Sequence, residues 1–409
     1  FLGFSSLIKN LFYKDFFLKF LTGYFLIGFL GLLIHFFSPI NNFVSIIMVS
    51  IGLILFFINF KYFNEKELLY LLLIYLFSSL FLILYSDHPI DTNMYHHPFV
   101  SYLNSEKIIF GVANIQFRFG HISFLQYVQA TLINDYLHIL NLAAPNIILF
   151  VSFIYFCGKN IINTKRINFV YLLMILLSSF LLIKYGRYRE FGNDLIPMLV
   201  SFYALIKITE EIFLKKNSNI LLNFFPIYLI FIFSHKISYI ASALIFLTIL
   251  NFKKLNYKNL NLKIVIIFLL FSFFWLSKNF INTSCFAYPI IASCIKTTSW
   301  QLAGLSAPES VAWLTEIWTK DFITLPDWRN TNLAEYASNF NWVNNWLNNH
   351  FIKILEKLSP IFIFLIYIFS IGLIFKEKNL SKTNESKIYL LLLFCLIGTV
   401  VWFLNAPVF

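Results

Sequence analysis

Long apolar runs separated by short polar segments make up most of the chain. A helix needs about 17–25 mainly apolar residues to cross a bilayer. Runs near that length predict eleven membrane-spanning helices, and the pair between residues 219 and 252 is divided only by His235 and Lys236. The predicted spans are residues 19–38, 42–60, 68–86, 137–157, 168–184, 194–209, 219–234, 237–252, 263–278, 359–375 and 387–404.

Two long segments, residues 87–136 and 279–358, interrupt this pattern. The first begins with DHPIDTNMYHHPFVSYLNSEKIIFGVANIQFRFGH, where charged and His residues are dense although charged residues make up only 12% of the chain. Polar groups beside a membrane span are costly unless they face water, a partner or a substrate. We therefore predict that residues 87–121 form the floor of an active site at one face of the membrane.

The end of the first long segment has an amphipathic pattern. Within residues 122–135, apolar side chains at Ile122, Leu125, Val128 and Leu132 fall on one stripe of a helix. Such a helix would lie along the membrane surface. Equally, the same residues would fit the first part of the next span.

The second long segment contains six of the eight Trp residues. Trp packs small domains, anchors proteins at the lipid headgroups and stacks on sugar rings, and the first two roles are the commoner ones. Pro308 and Glu309 fit a first helical turn, so residues 307–320 are predicted to be helical. The chain thus divides into a transmembrane region (1–278) that includes the first long segment, a Trp-rich segment (279–358) and a second transmembrane region (359–409).

Composition supports the membrane assignment. Hydrophobic residues make up 59% of the chain, well above a soluble protein of this length. The net charge of +12 would suggest nucleic acid in a soluble protein, but 19 of the 31 Lys and Arg residues lie in the short segments on one side of the predicted spans. The positive-inside rule then predicts a cytoplasmic N-terminus and places both long segments outside. We therefore predict an all-helical membrane bundle with no nucleic-acid partner.

The four cysteines contain no CxxC pair and no Cys/His cluster, so they predict no metal site. Cys157 and Cys395 lie in apolar runs and are expected to pack there. Cys285 and Cys294 both lie in the outer Trp-rich segment. An oxidising compartment would favour a disulfide between them.

A basic turn lies on the outer side, against the positive-inside bias. Lys184, Arg187 and Arg189 fall within residues 184–194, and an anionic ligand at the membrane surface would account for them. Anchoring to lipid headgroups is an equal alternative. The other charged residues proposed for this region are Glu190 and Asp194, which would neutralise the cations, and His235 and Lys236, which cap another outer turn.

Acidic residues and His in the first long segment supply candidate chemistry. Asp91, or Asp87 in its place, would act as a general base on an acceptor hydroxyl, and His96 would relay a proton or bind phosphate as an imidazolium. Nearby cations would stabilise a departing phosphate. The remaining substrate-binding candidates here are Tyr95, His97, Asn114 and Arg118.

These motifs resemble a known superfamily. A large outer segment with Asp followed by Tyr-His resembles the GT-C superfamily of polytopic glycosyltransferases. The runs DTNMYHHPFVSYL, GVANIQFRFG, EFGND, CFAYPIIASC and WFLNAP are more closely similar to a group of uncharacterised bacterial multi-span proteins. In that group WFLNAP usually continues into Arg-Phe. Because the chain opens with Phe1 instead of Met and stops at Phe409 just after a predicted span, we expect the natural protein to have further residues at both ends.

The resemblance implies a sugar transferred from a polyprenyl-phosphate donor to a glycan, lipid or protein on the periplasmic face of a bacterial inner membrane. The acidic residue carries over to Asp91, although GT-C enzymes often place this segment after their first span, whereas here it follows the third. The sequence identifies no cofactor, but Asp91, Glu190 and Asp194 could supply oxygen ligands to a divalent metal. The alternatives are a polymerase or ligase of lipid-linked glycans, a transporter or flippase, and a non-catalytic subunit of a membrane complex.

Overall fold

The computed structural model describes residues 1–8, 15–60, 65–83, 91–121, 123–135, 142–163, 169–183, 193–214, 219–248, 261–325, 327, 329–356, 359 and 382–405. Within these residues all regular structure is helical. The α-helices in chain order are α1 (Leu2–Ser5), α2 (Phe16–His35), α3 (Asn42–Phe60), α4 (Glu65–Ile83), α5 (His97–Ser105), α6 (Phe124–Leu132), α7 (Ala144–Asn163), α8 (Phe169–Ile183), α9 (Leu195–Leu214), α10 (Asn219–His235), α11 (Leu262–Thr283), α12 (Pro308–Thr319), α13 (Leu333–Ala337), α14 (343–356) and α15 (Lys382–Asn405).

Four of the described helices, α2, α3, α7 and α11, are long and apolar enough to cross a membrane, so the chain is a helical membrane protein. Their polar ends are capped locally: the Asp15 carboxylate accepts from the Phe17 amide at the start of α2 (3.0 Å). The Asn261 side chain does the same for the Lys263 amide in α11 (3.0 Å). These caps satisfy amides that have no partner within the helix.

The predicted spans agree with the described helices to within a few residues at most of their ends, and the segment 42–60 matches α3. The predicted span 237–252 differs, because Ile237–Thr248 forms a 3-10 helix. It folds back on α10, with the rings of Tyr228 and Phe246 4.8 Å apart. Of the predicted span 359–375, only residue 359 is described.

Helix α2 lies at the centre of the core and defines two ends of the bundle, which we name lower (Phe16) and upper (His35). Phe17 packs on Phe153 of α7, with ring centroids 5.3 Å apart. At the lower end, Asp15 accepts from the Tyr203 hydroxyl (3.1 Å). Helices α2 and α11 run in the same direction, since Phe25 packs on Phe271 and His35 lies near Lys278. The segments that follow the two helices therefore begin at the same end of the bundle.

Helix α6 occupies a place that the amphipathic pattern did not predict. It lies beside the upper half of α2 and is buried on every side, including the polar side chains of Gln126, Gln129 and Thr131. Gln129 donates to the Leu142 carbonyl (2.9 Å), and Gln126 takes part in the polar network described below. The prediction of a surface helix was therefore wrong, and the helix also ends at Leu132 instead of continuing into the next span.

Contact between α2 and α6 depends on a glycine. A Cβ atom at Gly28 would lie 2.5 Å from Cζ of Phe124. This ring cannot move aside easily, because Tyr24, Phe271 and Trp275 surround it at centroid distances of 5.2 to 6.1 Å. Small residues allow such close helix packing in membrane proteins.

Gly28→Ala should therefore destabilise the protein by about 1–3 kcal/mol, because overpacking a filled core forces neighbouring atoms apart. Thermal unfolding in detergent, followed by Trp fluorescence, would measure the loss. Gly158→Ala in α7 is the matched control, since no described atom other than the neighbouring backbone of α7 itself lies within 4 Å of that Cβ position. The control should keep or raise the unfolding temperature, and equal losses in both variants would contradict this packing.

The Trp-rich segment packs on the first long segment instead of standing apart. The Ser306 hydroxyl donates to the Ala113 carbonyl (2.8 Å), and the Gly111 amide donates to the Ile281 carbonyl (2.8 Å). The predicted helix over 307–320 is confirmed as α12. The predicted disulfide between Cys285 and Cys294 is also confirmed.

Two of the six Trp residues in this segment have the packing role that the sequence favoured. Trp342 and Trp346 are buried, and Phe403 of α15 lies against both rings with centroids 5.3 Å away. Trp318 is different, because 46% of its surface is exposed. Its position against the candidate site is described next.

Candidate functional site

A continuous helical segment begins the site. Residues 91–105 run from Asp91 through a π-helical turn at Thr92–His96 into α5. The His97 amide bonds to the Thr92 carbonyl, which widens this turn. Such π turns are rare and occur frequently at functional sites. Here the turn carries Tyr95 and His96, two of the residues that the sequence indicated.

Asp91 forms an ion pair with Arg118. Nη1 of Arg118 lies 3.2 Å from Oδ1 of Asp91. The guanidinium is largely buried because aromatic rings surround it, with Tyr95 at 4.7 Å and Trp318 at 5.0 Å from the guanidinium carbon. Cation–π contacts of this kind hold a guanidinium in one orientation. The Asp91 side chain, by contrast, remains 60% exposed and is open to a substrate.

Tyr95 contributes a proton donor to the same group. Burial, with a smaller contribution from the Asp91 carboxylate, raises the pKa of Tyr95 to about 12. The phenol therefore keeps its proton at neutral pH.

His96 lies in a buried polar network at the start of α6. The Ser123 amide donates to Oε1 of Gln126 (2.9 Å), which fixes the orientation of the side-chain amide. Nε2 of Gln126 then donates to Nδ1 of His96 (2.7 Å). Asn193 accepts from the Ser123 hydroxyl (2.8 Å) and lies 3.4 Å from Nε2 of Gln126. Because Nδ1 is the acceptor, the neutral imidazole carries its proton on Nε2.

The environment of His96 favours the neutral ring. Burial lowers the pKa of His96 to about 4, and this effect outweighs the opposing influence of the Asp91 and Asp194 carboxylates. This argues against the prediction that His96 binds phosphate as an imidazolium at neutral pH. The neutral ring can instead donate a hydrogen bond from Nε2.

We expect the stability of the protein to fall as the pH drops from about 6.5 to about 4. In that window an unfolded chain protonates His96 and the folded chain does not, so the free energy of unfolding decreases. The His96 contribution is roughly 3 kcal/mol. Unfolding temperatures measured across this range should fall less steeply in His96→Gln, which keeps a hydrogen-bond acceptor without a titrating ring. Parallel curves for the two proteins would show that His96 is not buried as a neutral group.

A second ion pair lies next to this network. Lys236, in the turn after α10, pairs with Asp194 at the start of α9. Asp194 lies close enough to His96 to act on its pKa, and its neighbour Asn193 contacts Gln126. The sequence had assigned Asp194 to neutralise the basic turn before it. In the structure it bonds to Lys236, and both belong to the candidate site.

Several predicted site residues lie outside the described part of the chain. These are Asp87, Lys184, Arg187, Arg189 and Glu190. All three basic residues of this turn come before Asn193 in the sequence.

The structure also describes three further predicted site residues, namely Asn114, His235 and His97. Asn114 accepts from the Ala303 amide (3.2 Å), which ties the two long segments together. His235 is buried, where Nδ1 bonds to the Phe231 carbonyl (2.9 Å) and Nε2 accepts from the Tyr24 hydroxyl (2.8 Å). Both ring nitrogens are therefore used inside the core. His97 is half-buried in the first turn of α5.

Sequence reasoning missed the residues that hold His96. Ser123 and Gln126 form a capping box, a local pattern that the sequence does contain. Asn193 carried no such signal, because its partners are 67 and 70 residues away along the chain.

The site thus combines an exposed carboxylate, a guanidinium fixed by aromatic rings, a neutral imidazole and a Lys–Asp pair. It can accept a proton at Asp91 and donate hydrogen bonds from Tyr95 and His96. Among the described residues, no group of three or more His, Cys, Asp and Glu side chains could hold a metal ion.

Comparison with known proteins identifies a family without assigning an activity. One family model matches residues 2–409, and its description is "Domain of unknown function (DUF8201)". No curated protein matches the chain, and no solved structure matches it either.

Proposed function

The chain belongs to the DUF8201 family, and we propose from the site described above that it is a membrane glycosyltransferase that uses a polyprenyl-phosphate-linked sugar. The observation that carries the proposal is the exposed Asp91 carboxylate held by Arg118, beside a buried neutral His96 and the Lys236–Asp194 pair. A base and hydrogen-bond donors near an expected basic turn suit attack on a sugar phosphate. The GT-C-like pattern of the sequence points the same way.

The proposed reaction inverts the configuration at the anomeric carbon of the transferred sugar. Asp91 takes the proton of an acceptor hydroxyl, and the hydroxyl oxygen forms a bond to the anomeric carbon. The bond from that carbon to the phosphate oxygen breaks, and its electron pair leaves with the polyprenyl phosphate. Cations stabilise the charge that develops on this phosphate: Arg187 and Arg189 are the proposed clamp, and Lys236 is a further candidate. Nε2–H of His96 adds a neutral hydrogen bond.

The membrane arrangement belongs to the same proposal. Eleven spans, a cytoplasmic N-terminus and an upper end that faces the periplasm would place the site where lipid-linked sugars are used in a bacterial cell envelope. The lower end is rich in cations: Lys19 lies 4.0 Å from Glu67, and Lys159 lies 5.3 Å from the ring centre of Tyr70. This distribution supports the orientation. The acceptor would be a glycan, a lipid or a protein.

One observation favours a second candidate, a transporter or flippase. The short helix α6 lies beside the upper half of α2, with α5 packed against it, and polar Gln126 and Gln129 of α6 are buried there. The packing of Phe124 against Tyr24 puts the start of α6 roughly 16 Å below the upper end of α2. Interrupted helices with polar groups at such a depth are common in transporters.

A reconstituted system separates the two activities. The full chain in proteoliposomes would receive polyprenyl-phosphate hexoses carrying a radiolabel in the sugar, together with a glycan acceptor. A transferase moves the label to the acceptor and releases unlabelled polyprenyl phosphate. A flippase carries the intact donor to the other leaflet, where an impermeant oxidant reaches its sugar. Intact donor in the second leaflet, without any released polyprenyl phosphate, would contradict the transferase proposal and support the transporter.

A further inference from the structure

An exposed apolar surface surrounds the disulfide at the upper end of α11. The loop closed by Cys285 and Cys294 exposes Phe286, Ile290 and Ile291, each between 42% and 47%. Ile295, just beyond the disulfide, is exposed to 40%. Four large apolar side chains within ten residues form a patch that a water-facing loop rarely carries.

This patch continues a lipid-facing stripe. Along α11 the exposed side chains include Leu269, Phe273 and Leu276, which recur at helical spacing on one face. The next position on that face is Phe280. Its ring stacks on Phe286, with centroids 5.1 Å apart and planes inclined by 17°. The apolar stripe therefore passes from the helix into the loop without a break.

The loop lies at the level of the last helical turn. The Asn279 side chain donates to the Phe286 carbonyl (3.1 Å), so the chain folds back beside α11 instead of rising away from it. The 22 residues of α11 extend about 33 Å, against a hydrocarbon thickness of about 30 Å. A loop beside the last turn of such a helix would meet the boundary between acyl chains and headgroups.

We propose that the loop Cys285–Cys294 is a membrane-interface anchor, whose Phe286, Ile290 and Ile291 side chains insert among the phospholipids at the upper end of the bundle. This inference is independent of the proposed transferase activity. The disulfide and the bond from the Phe286 amide to the Ser293 carbonyl (3.0 Å) hold the loop closed. Its apolar side chains are thus presented together on one surface.

The anchor also contacts the segment that carries Arg118. The Tyr288 hydroxyl donates to the Ser306 carbonyl (2.8 Å), and its ring packs on His121 at a centroid distance of 5.1 Å. A Cβ at Gly120 would lie 2.5 Å from the Tyr288 ring, so the two segments meet without space for a side chain. Insertion of the loop would fix the height of Arg118 relative to the lipid.

Photocrosslinking tests the proposal. Benzoylphenylalanine would be placed at position 286, 290, 273 or 330 of the full chain, one at a time, in vesicles of phosphatidylethanolamine and phosphatidylglycerol. Position 273 on α11 serves as the lipid-facing control, and the exposed position 330 serves as the polar control. We expect phospholipid adducts at 286 and 290 within about threefold of the yield at 273, and at least tenfold less at 330.

Two results would overturn the anchor. A crosslinked dimer of the chain at 286 and 290 would assign the patch to contact between two copies. Lipid adducts at 273, with yields at 286 and 290 as low as at 330, would show that the loop faces water. Position 286 replaces one aromatic residue with another, which keeps the ring at the Phe280 stack. Sugar transfer by the same variants is measured separately. If it is retained, neither of the two crosslinking results bears on the proposed function.

Discussion

Replacement of Asp91 with Asn is expected to reduce sugar transfer by about a hundredfold or more, because general-base catalysis contributes roughly 10²–10⁴-fold to such reactions. Asn is nearly the same shape as Asp and can still accept a hydrogen bond from Arg118, which lies 3.2 Å from the carboxylate. It cannot take a proton at neutral pH. The release of polyprenyl phosphate by the two proteins in proteoliposomes would measure the loss.

A matched control separates this effect from a general change in charge. Glu106 is also exposed and also lies in the first long segment, just after α5. Glu106→Gln should keep at least half of the activity of the natural chain. Full transfer by a folded, membrane-inserted Asp91→Asn protein would remove Asp91 from the mechanism.

Removal of Arg118 is expected to reduce transfer by roughly ten- to a hundredfold, since a misplaced catalytic group typically costs that much. In the structure this guanidinium holds Asp91 and contacts the rings of Tyr95 and Trp318. Arg118→Ala would lose both the ion pair and the ring contacts. Arg118→Lys keeps the charge but not the planar stacking, so its activity should fall between that of the natural chain and that of Arg118→Ala.

The two substitutions together show whether Arg118 acts through Asp91. If Arg118 only positions the carboxylate, Asp91→Asn combined with Arg118→Ala should be no slower than Asp91→Asn alone. If Arg118 instead binds the leaving phosphate, the two losses should multiply. The second outcome would move Arg118 from a positioning role to direct contact with the donor.

The membrane helices could be predicted from the sequence because their signal is local. Each apolar run contains its own evidence, and the segment 42–60 agrees with Asn42–Phe60. The disulfide was predictable for a related reason, since Cys285 and Cys294 lie close in the sequence and in the same outer segment. Neither inference needed to know which helices pack together.

The position of α6 could not be read from its pattern. The apolar stripe through Leu125 and Val128 describes one face of the helix. It does not show that Gln126 and Gln129 on the other face are also buried, since their partners, His96 and the Leu142 carbonyl, come from elsewhere in the chain. A buried polar side chain with distant partners therefore looks like a surface residue in the sequence.

The pairing of Asp91 illustrates the same limit. The sequence indicated both Asp91 and Arg118 but gave no reason to join them, because 26 residues separate them. Trp318 was grouped with Trp residues expected to pack or anchor the protein. Only the fold of the second long segment onto the first puts its ring 5.0 Å from the Arg118 guanidinium.

The most direct test of the proposed transferase site is a structure of the full chain with a non-transferable polyprenyl-phosphate sugar analogue. The proposal predicts that the phosphate lies against the basic turn 184–189 and Lys236. The anomeric carbon should then face the Asp91 carboxylate within reach of an acceptor oxygen bound between them. A phosphate held at the lower end of the bundle, or a sugar with no access to Asp91, would contradict the proposed function.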